Sequence, residues 1–316
     1  MRHILAIIAC LLGAAVQAQD YPARPIKLVV PIGPGGGTDI LARHMAQKMT
    51  ERLHASVVVE NRPGAGSIVG TEYAAKAAPD GYTLLVGGIF NMVMNKALVK
   101  NLPYEPLRDF VPLGYISAYP FALVARADLP AGLADFVQFA KDRPGKLTYG
   151  SAGLGTLQHV WGTILVKRLG LDMVHVPFKA APAVHQEMLA GRIDLMMDNL
   201  SAVKHHVQSG RLRAYAVSSA ARSPQLEGVP TLKESGVDLT MTLWRGVAVP
   251  KGTPEMAIAR LERAFTQAAN SPEFRDFATR MGAVVDVRGA KDFDAFMARD
   301  DREIASLMEQ IGLRKQ

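Results

Sequence analysis

The sequence is nearly free of cysteine. Its one cysteine, Cys10, lies within the first 18 residues, and no other follows. A disulfide framework and a thiolate metal site are therefore excluded from residues 19–316, whose stability must come from packing. Cys10 is followed by Leu11 and Leu12 and is not predicted to carry a lipid.

Aromatic side chains and runs of one charge are also scarce. Aromatic residues make up 7% of the 316 residues, and the basic residues behind the net charge of +7 are scattered among acids. Nucleic-acid-binding surfaces carry a basic stripe interleaved with aromatics, so no nucleic-acid partner is predicted. The positive balance suits attraction of acidic solutes or an anionic surface.

The apolar run near the start is too short to span a bilayer comfortably. Arg2 forms a basic start, Ile4 to Val16 are apolar, and Ala18 ends a small-residue cleavage site. This pattern is typical of a secretory signal. We therefore predict that residues 1–18 are a signal peptide, cleaved near Ala18, and that the protein is exported.

The rest of the sequence alternates short β-branched runs with longer amphipathic stretches. This favours an α/β fold with largely parallel strands, long enough for two domains. Residues 111–116 and 121–125 are predicted as two separate strands. With crossings near 118–120 and 243–245, one lobe would hold residues 19–120 and 244–316 and the other 121–243, joined by a two-strand hinge.

A glycine-rich turn lies between the first predicted strand, 26–30, and the first helix. Thr38 and Asp39 are predicted to cap that helix. The turn matches neither a P-loop nor a dinucleotide fingerprint. A strand, a turn and a helix N-terminus present free backbone N–H groups, and the partial positive charge at that end favours an anion.

A second turn of the same kind follows the predicted strand 147–150. Residues 151–155 form the turn, and Thr156 is predicted to cap the next helix. If the two helix N-termini face one another across a cleft, they can bind an anion from both sides. A third glycine turn, at 61–67, is interpreted as structural.

Six stretches carry a family resemblance, in order and over nearly the full length. They are VPIGPGGGTD at 30–39, VENRPGAG at 59–66, APDGYTLL at 78–85, LTYGSAGLGT at 147–156, HVPFK at 175–179 and VPTLKESG at 229–236. Together they resemble the Bug family, the periplasmic solute-binding proteins of tripartite tricarboxylate transporters.

The resemblance implies a two-lobed periplasmic binding protein of type II fold, each lobe a mostly parallel sheet flanked by helices. Such a protein closes on a small, usually carboxylated solute without a cofactor and is recognised by a membrane permease. A monomer in the periplasm is expected. The implied binding residues are Ile32, Gly33, Pro34, Gly37, Thr38, Asp39, Gly88, Asn91, Ser151, Gly155, Thr156, His159, Lys179 and Asp198.

Two departures from the family pattern concern the pocket. The family often has an aromatic residue where Ile32 stands, and a small hydroxyl or His pair where this chain has Phe90, Asn91 and Met92. Ligand identity is therefore the least transferable inference. Several carboxylates and some amide-bearing or aromatic acids are used within the family.

The roles of three polar residues depend on their positions. Asp39 is expected to order its turn rather than meet an acidic ligand, because the helix start already accounts for it. Asp198 is a candidate partner for an ammonium or hydroxyl of the solute. His159 follows Thr156 by three residues, so it can reach ligand or water, or else pack beside Trp161.

Catalysis is not predicted. Ser151 lies outside the Gly-x-Ser-x-Gly elbow, and no nearby sequence signature supplies its histidine. The histidines form no His-Glu-x-x-His set, so no metal site is predicted. Two alternatives stay open: a secreted hydrolase that uses Ser151 or Asp39, and a sensor that reports ligand occupancy to a membrane receptor.

Overall fold

The computed structural model describes residues 21–311, and the predicted signal peptide lies outside them. Within residues 21–311, ten strands form one sheet, against which the helices pack. The strands are β1 Ile26–Val30, β2 Val57–Asn61, β3 Thr83–Gly88, β4 Phe110–Arg126, β5 Leu147–Ser151, β6 Met173–Pro177, β7 Leu195–Asn199, β8 Leu212–Val217, β9 Thr242–Pro250 and β10 Val284–Gly289.

The α-helices are α1 Gly37–Leu53, α2 Ile68–Ala75, α3 Asn95–Leu98, α4 Pro106–Asp109, α5 Leu133–Lys141, α6 Leu157–Arg168, α7 Ala181–Leu189, α8 Leu200–Gln208, α9 Glu255–Ala269, α10 Pro272–Arg280 and α11 Ala290–Ile311. A 3₁₀ turn spans Ala65–Ser67, and a π-helix spans Phe90–Met94. The helices within 89–109 were not predicted. No helix between residues 21 and 311 has both the length and the apolar character that a membrane span needs.

The strand order is β2-β1-β3-β9-β4-β7-β5-β6, and β8 and β10 also pair with β4. β1 is parallel to β2 and β3, and β5 is parallel to β6 and β7. Every pairing of β4 and β9 is antiparallel. The sheet is therefore mixed, and the parallel strands that the sequence favoured form two sets on either side of β9 and β4.

β4 is a single strand of 17 residues where the sequence predicted two. Pro120 suggested a break, because proline lacks the N–H that a ladder needs. In the structure Pro120 pairs with Thr242, the first residue of β9, and the next residue, Phe121, already pairs with β7. The missing N–H thus falls where β4 changes partners, and the strand continues.

The register determines where the strand ends lie. Gly88, at the end of β3, pairs with Arg245 of β9, which in turn pairs with Ser117 of β4. Asn199, at the end of β7, pairs with Phe121 of β4. β7 runs antiparallel to β4, whereas β3 runs in the same direction as β4. The carboxyl ends of β1 and β3 therefore approach the same stretch of β4 as those of β5 and β7. That stretch is about 13 Å long at the usual rise of a strand.

The core continues through this stretch. One apolar cluster contains Phe121 and Trp161, whose ring centroids are 4.4 Å apart, and also Trp244 and Phe293, whose centroids are 5.5 Å apart. Phe293 lies on α11, which packs across β4. Fully burying such a side chain contributes about 1.5–3 kcal/mol, so the two parts of the sheet share much of their stabilisation.

Candidate functional site

The first glycine turn joins β1 to α1. The N-cap of α1 is Gly36, which has no side-chain cap, so the predicted capping by Thr38 and Asp39 is wrong. Both lie in the first turn of the helix instead. Gly35 has φ +85°, a conformation that favours glycine. The first N–H groups of the helix thus donate to no capping side chain.

Asp39 orders this turn. Its carboxylate is buried and accepts hydrogen bonds from Gly35 N at 2.9 Å, Arg43 Nε at 2.9 Å and Asn61 Nδ2 at 2.8 Å. Burial alone would raise the pKa of Asp39, but these bonds outweigh it and hold the pKa below its ordinary value. The group is therefore an ionised structural carboxylate and has no free proton-accepting role.

A small cavity of about 50 Å³ lies beside the first turn. Four of the predicted residues line it: Ile32, Thr38, Gly88 and Asn91. Gly33, Pro34 and Gly37 belong to the same turn but are not among its lining residues.

Asn91 holds the end of β3 in place. Its Oδ1 accepts from Gly88 N at 2.9 Å, and its Nδ2 donates to Thr71 Oγ1 at 3.0 Å. The amide of this buried residue is thus used within the protein, so Asn91 shapes the cavity wall.

Arg245 also lines the cavity and was not predicted. Its Nε donates to Thr38 Oγ1 at 2.8 Å, and its Nη1 donates to the Trp244 carbonyl at 2.8 Å. No Asp or Glu between residues 21 and 311 forms an ion pair with it. Burial lowers the pKa of Arg245 to about 10, so the guanidinium stays charged at pH 7. The sequence signal that could have pointed to Arg245 is its position directly before the apolar run 246–249.

The second glycine turn joins β5 to α6. Thr156 is the N-cap of α6, as predicted, and its Oγ1 accepts from His159 N at 3.4 Å. The same hydroxyl donates to the Gly153 carbonyl at 2.7 Å. Gly153 and Gly155 have positive φ, and a Cβ on Gly155 would contact nothing within 4 Å. The backbone of this turn is therefore open at Gly155.

Two histidines lie behind the second turn. Ser151 is buried, and its Oγ is 2.8 Å from His175 Nε2. The His175 ring stacks on His159 with centroids 4.3 Å apart, and Gly155 N donates to His159 Nδ1 at 3.1 Å. Burial, together with His159, lowers the pKa of His175 to about 4, and burial lowers the pKa of His159. Both rings are therefore neutral at pH 7, and His159 carries its proton on Nε2.

Ser151 could not be paired with a histidine from the sequence, because Ser151 and His175 lie on neighbouring strands 24 positions apart. Within residues 21–311, no carboxylate hydrogen-bonds His175. A nucleophile and base oriented by an acid are thus not assembled here.

The remaining predicted residues, Lys179 and Asp198, have different environments. Lys179 is exposed two residues beyond β6. Asp198 is buried on β7 and accepts from Gln158 Nε2 at 3.0 Å, from His185 Nε2 at 2.7 Å and from the next backbone N–H at 2.7 Å. These three hydrogen bonds satisfy the buried carboxylate of Asp198 without a ligand.

Comparison with known proteins assigns the family. The model of the tripartite tricarboxylate transporter family receptor matches residues 41–313. Protein BugT of Bordetella pertussis is 32% identical over 322 residues, which cover 99% of each chain. The chain belongs to this receptor family. The resemblance inferred from the six sequence stretches is confirmed.

Solved structures agree with this receptor family. The periplasmic binding protein BugD has a TM-score of 0.74 at 33% identity, covering 94% of this chain and 100% of BugD. A protein of R. palustris solved with adipate has a TM-score of 0.77 at 29% identity, covering 94% of this chain and 100% of its own. The predicted periplasmic binding protein fold is confirmed, and the chain is a solute receptor of a periplasmic binding family.

Proposed function

We propose that the two glycine turns bind one small carboxylate solute in a cleft between lobes 19–120 with 244–316 and 121–243. The observation that carries this is the register: β1 and β5 both end toward the stretch 117–121 of β4. Each strand is followed by a glycine turn and a helix N-terminus, where an anion is stabilised.

The two turns would contribute different groups to this solute. The first turn lies beside Arg245, a guanidinium without a carboxylate partner among residues 21–311. The second offers the open backbone at Gly155 and the Nε2 proton of His159. The cavity at the first turn has no lining residue from 151–156, so closure of the lobes would bring the second turn to the solute.

A thermal-shift screen tests the proposal. The panel contains mono-, di- and tricarboxylates, amino acids and nicotinate-like acids, and it includes adipate because a relative was solved with it. An acid present at a hundred times its Kd should stabilise the protein by about 2.7 kcal/mol. A rise in the unfolding midpoint with at least one acid is expected, and no rise with any acid would contradict the proposal.

The biological setting is part of the same proposal. The receptor would be exported after cleavage near Ala18, act as a monomer and deliver its solute to a tripartite tricarboxylate-type permease. Mass spectrometry of the exported protein and light scattering test the first two points. A pull-down from membranes separates transport from a sensory role. A transport protein should capture a permease, whereas a sensory protein should capture a membrane receptor.

A secreted hydrolase is the second candidate, because Ser151 Oγ lies 2.8 Å from His175 Nε2. Turnover of esters or amides that disappears in Ser151→Ala would support it. We expect no turnover, because Ser151 is fully buried and no carboxylate between residues 21 and 311 hydrogen-bonds His175.

A further inference from the structure

A second cavity lies on the opposite face of the sheet from Arg245. Ala118 of β4 lines it, and successive side chains of a strand alternate between faces, so Ala118 faces away from the side that carries Ser117 and its partner Arg245. The cavity has a volume of about 580 Å³, which is within the range of small-molecule sites. No described residue lines both this cavity and the one at the first turn, so the two are distinct.

Both proposed lobes contribute to the lining of this cavity. The loop 219–224, which follows β8, contributes residues from one lobe, and Val284 of β10 and Phe296 of α11 contribute from the other. Next to the cavity, Gln225 Nε2 donates to the Gly282 carbonyl at 3.2 Å and joins that loop to the residues before β10. Ligand sites occur preferentially at such boundaries between domains.

Much of the lining is apolar or aromatic. The rings of Tyr115 and Phe296 form an edge-to-face pair, with centroids 5.3 Å apart and an interplanar angle of 73°. Val284 is 42% exposed although it belongs to a strand, so the rest of the described chain leaves part of its apolar surface uncovered. A ligand that removes this surface from water gains from the hydrophobic effect.

The charged part of the lining has an excess of positive charge, because it contains three arginines and two acids. Arg222 and Arg288 each donate a hydrogen bond to a carboxylate. Arg299 has a looser pair, since its Nε lies 3.8 Å from Glu303 Oε1, beyond hydrogen-bond distance. The Arg299 guanidinium is therefore the group in this lining that an anion can pair with most readily.

Phe296 lies close to two of these guanidinium groups. Its ring centroid is 5.4 Å from Arg299 Cζ and 5.0 Å from Arg288 Cζ. A planar aromatic ring can pack against the phenyl and guanidinium surfaces together. An anionic substituent on such a ring can then reach Arg299.

We propose that this cavity is a second small-molecule site and that it binds an aromatic anion. The ring of the ligand packs against Val284 and Phe296, and its anionic group pairs with Arg299. This inference goes beyond the receptor function, because the cavity lies on another face of the sheet and needs no solute at the glycine turns.

The test uses two fluorescent probes of similar shape, anilinonaphthalene sulfonate and its neutral analogue phenylnaphthylamine. Wild-type protein should bind the sulfonate saturably at a single site. Arg299→Met should weaken the sulfonate by about threefold to tenfold and the neutral analogue by less than about twofold, because only the sulfonate loses a charged partner.

Two further variants complete the design. Val284→Asp places a carboxylate on the apolar wall and should weaken both probes by about tenfold or more, and the partial exposure of Val284 should let the variant fold. Arg263→Met, an exposed arginine of α9, is the matched control and should bind both probes as the wild type does. The sulfonate also binds partly folded chains, so circular dichroism must show that each variant is folded.

The outcomes decide the proposal separately from the receptor function. Selective loss of the sulfonate in Arg299→Met, together with loss of both probes in Val284→Asp, supports the site. Absence of saturable sulfonate binding, or binding that both variants leave unchanged, overturns it. Equal weakening of the two probes in Arg299→Met overturns it as well, since the anion would then not pair with Arg299. None of these results depends on the screen of acids, so a failure of that screen would overturn the receptor proposal alone.

Discussion

The two glycine turns occupy equivalent places after β1 and β5 but are built differently. In the first, Asp39 accepts three hydrogen bonds from Gly35, Arg43 and Asn61, the helix has no side-chain cap, and the Arg245 guanidinium lies beside the turn. In the second, Thr156 caps the helix and two neutral histidines replace the charges. If both turns bind the proposed solute, we expect the first to select for charge and the second to select through neutral donors and shape.

Removing the carboxylate of Asp39 should break the first turn and produce the largest effect. Asp39→Ala removes the carboxylate to which Gly35 N, Arg43 and Asn61 donate, so we expect a loss of about 2–3 kcal/mol in unfolding free energy and loss of solute binding. Urea unfolding and calorimetry measure both. Asp276→Ala, at an exposed i,i+4 pair with Arg280, is the control and should change stability by less than about 0.5 kcal/mol.

Removing the cap of the second turn should have a smaller effect. Thr156→Ala loses the N-cap of α6 and should cost about 1 kcal/mol while weakening the bound acid. Gly37→Val, at the first residue of α1, should also weaken the acid by adding a side chain at the anion-facing helix start. Exposed Lys251 serves as the control, and equal losses in Lys251→Ala would contradict the two-turn description.

The glycines of the first turn should differ among themselves. Gly35 has φ +85°, so Gly35→Ala should cost about 1 kcal/mol from backbone strain. Gly33 has no positive φ, and a Cβ there would meet nothing within 4 Å. Gly33→Ala should therefore be neutral in urea unfolding, and an equal cost at both positions would show that the backbone conformation is not the cause.

The effect that is smallest at neutral pH is a difference in pH dependence. The pKa of His175 is about 4 in the folded protein and near 6.5 when unfolded, so folding favours the neutral ring. That contribution is present above pH 6.5 and is lost as the pH falls from 6.5 toward 4. His175→Asn should flatten the slope of unfolding free energy in this window. The pKa of Asp39 lies below its ordinary value of 3.8. Its carboxylate should therefore become protonated, and the first turn lose stability, only at lower pH.

Local signals explain what could be predicted. The sequence predicted β1 to the residue, and the strand predicted at 147–150 ends one residue before β5, because apolar runs and the glycines that follow them are read over a few positions. The cap at Thr156 followed from the same signals. The break expected near Pro120 was wrong, because the effect of this proline on β4 depends on which strands lie beside it. That information is not local in the sequence.

Long-range pairing explains what was missed. Arg245 reaches Thr38 across 207 positions only because β9 lies between β3 and β4. Ser151 and His175 meet because β5 and β6 are adjacent and parallel. Asp198 was predicted to face a ligand because it follows the predicted strand 195–197, yet it lies within β7 and its carboxylate accepts a hydrogen bond from His185 of α7. Strand neighbours and helix packing decide these contacts, and neither can be read from spacing alone.

The uninterrupted β4 has a mechanical consequence. β4 is one continuous strand that pairs with β9 and β10 along its first part and with β7 and β8 along its last part. The two parts of the sheet on either side of Pro120 cannot slide past each other without breaking these strand pairings. Bending and twisting are therefore the relative movements that β4 allows. Pairing with β9 ends at Pro120 and pairing with β7 begins at Phe121, and Pro120 has no N–H to lose from either ladder, so we expect any bending of β4 to concentrate at this proline.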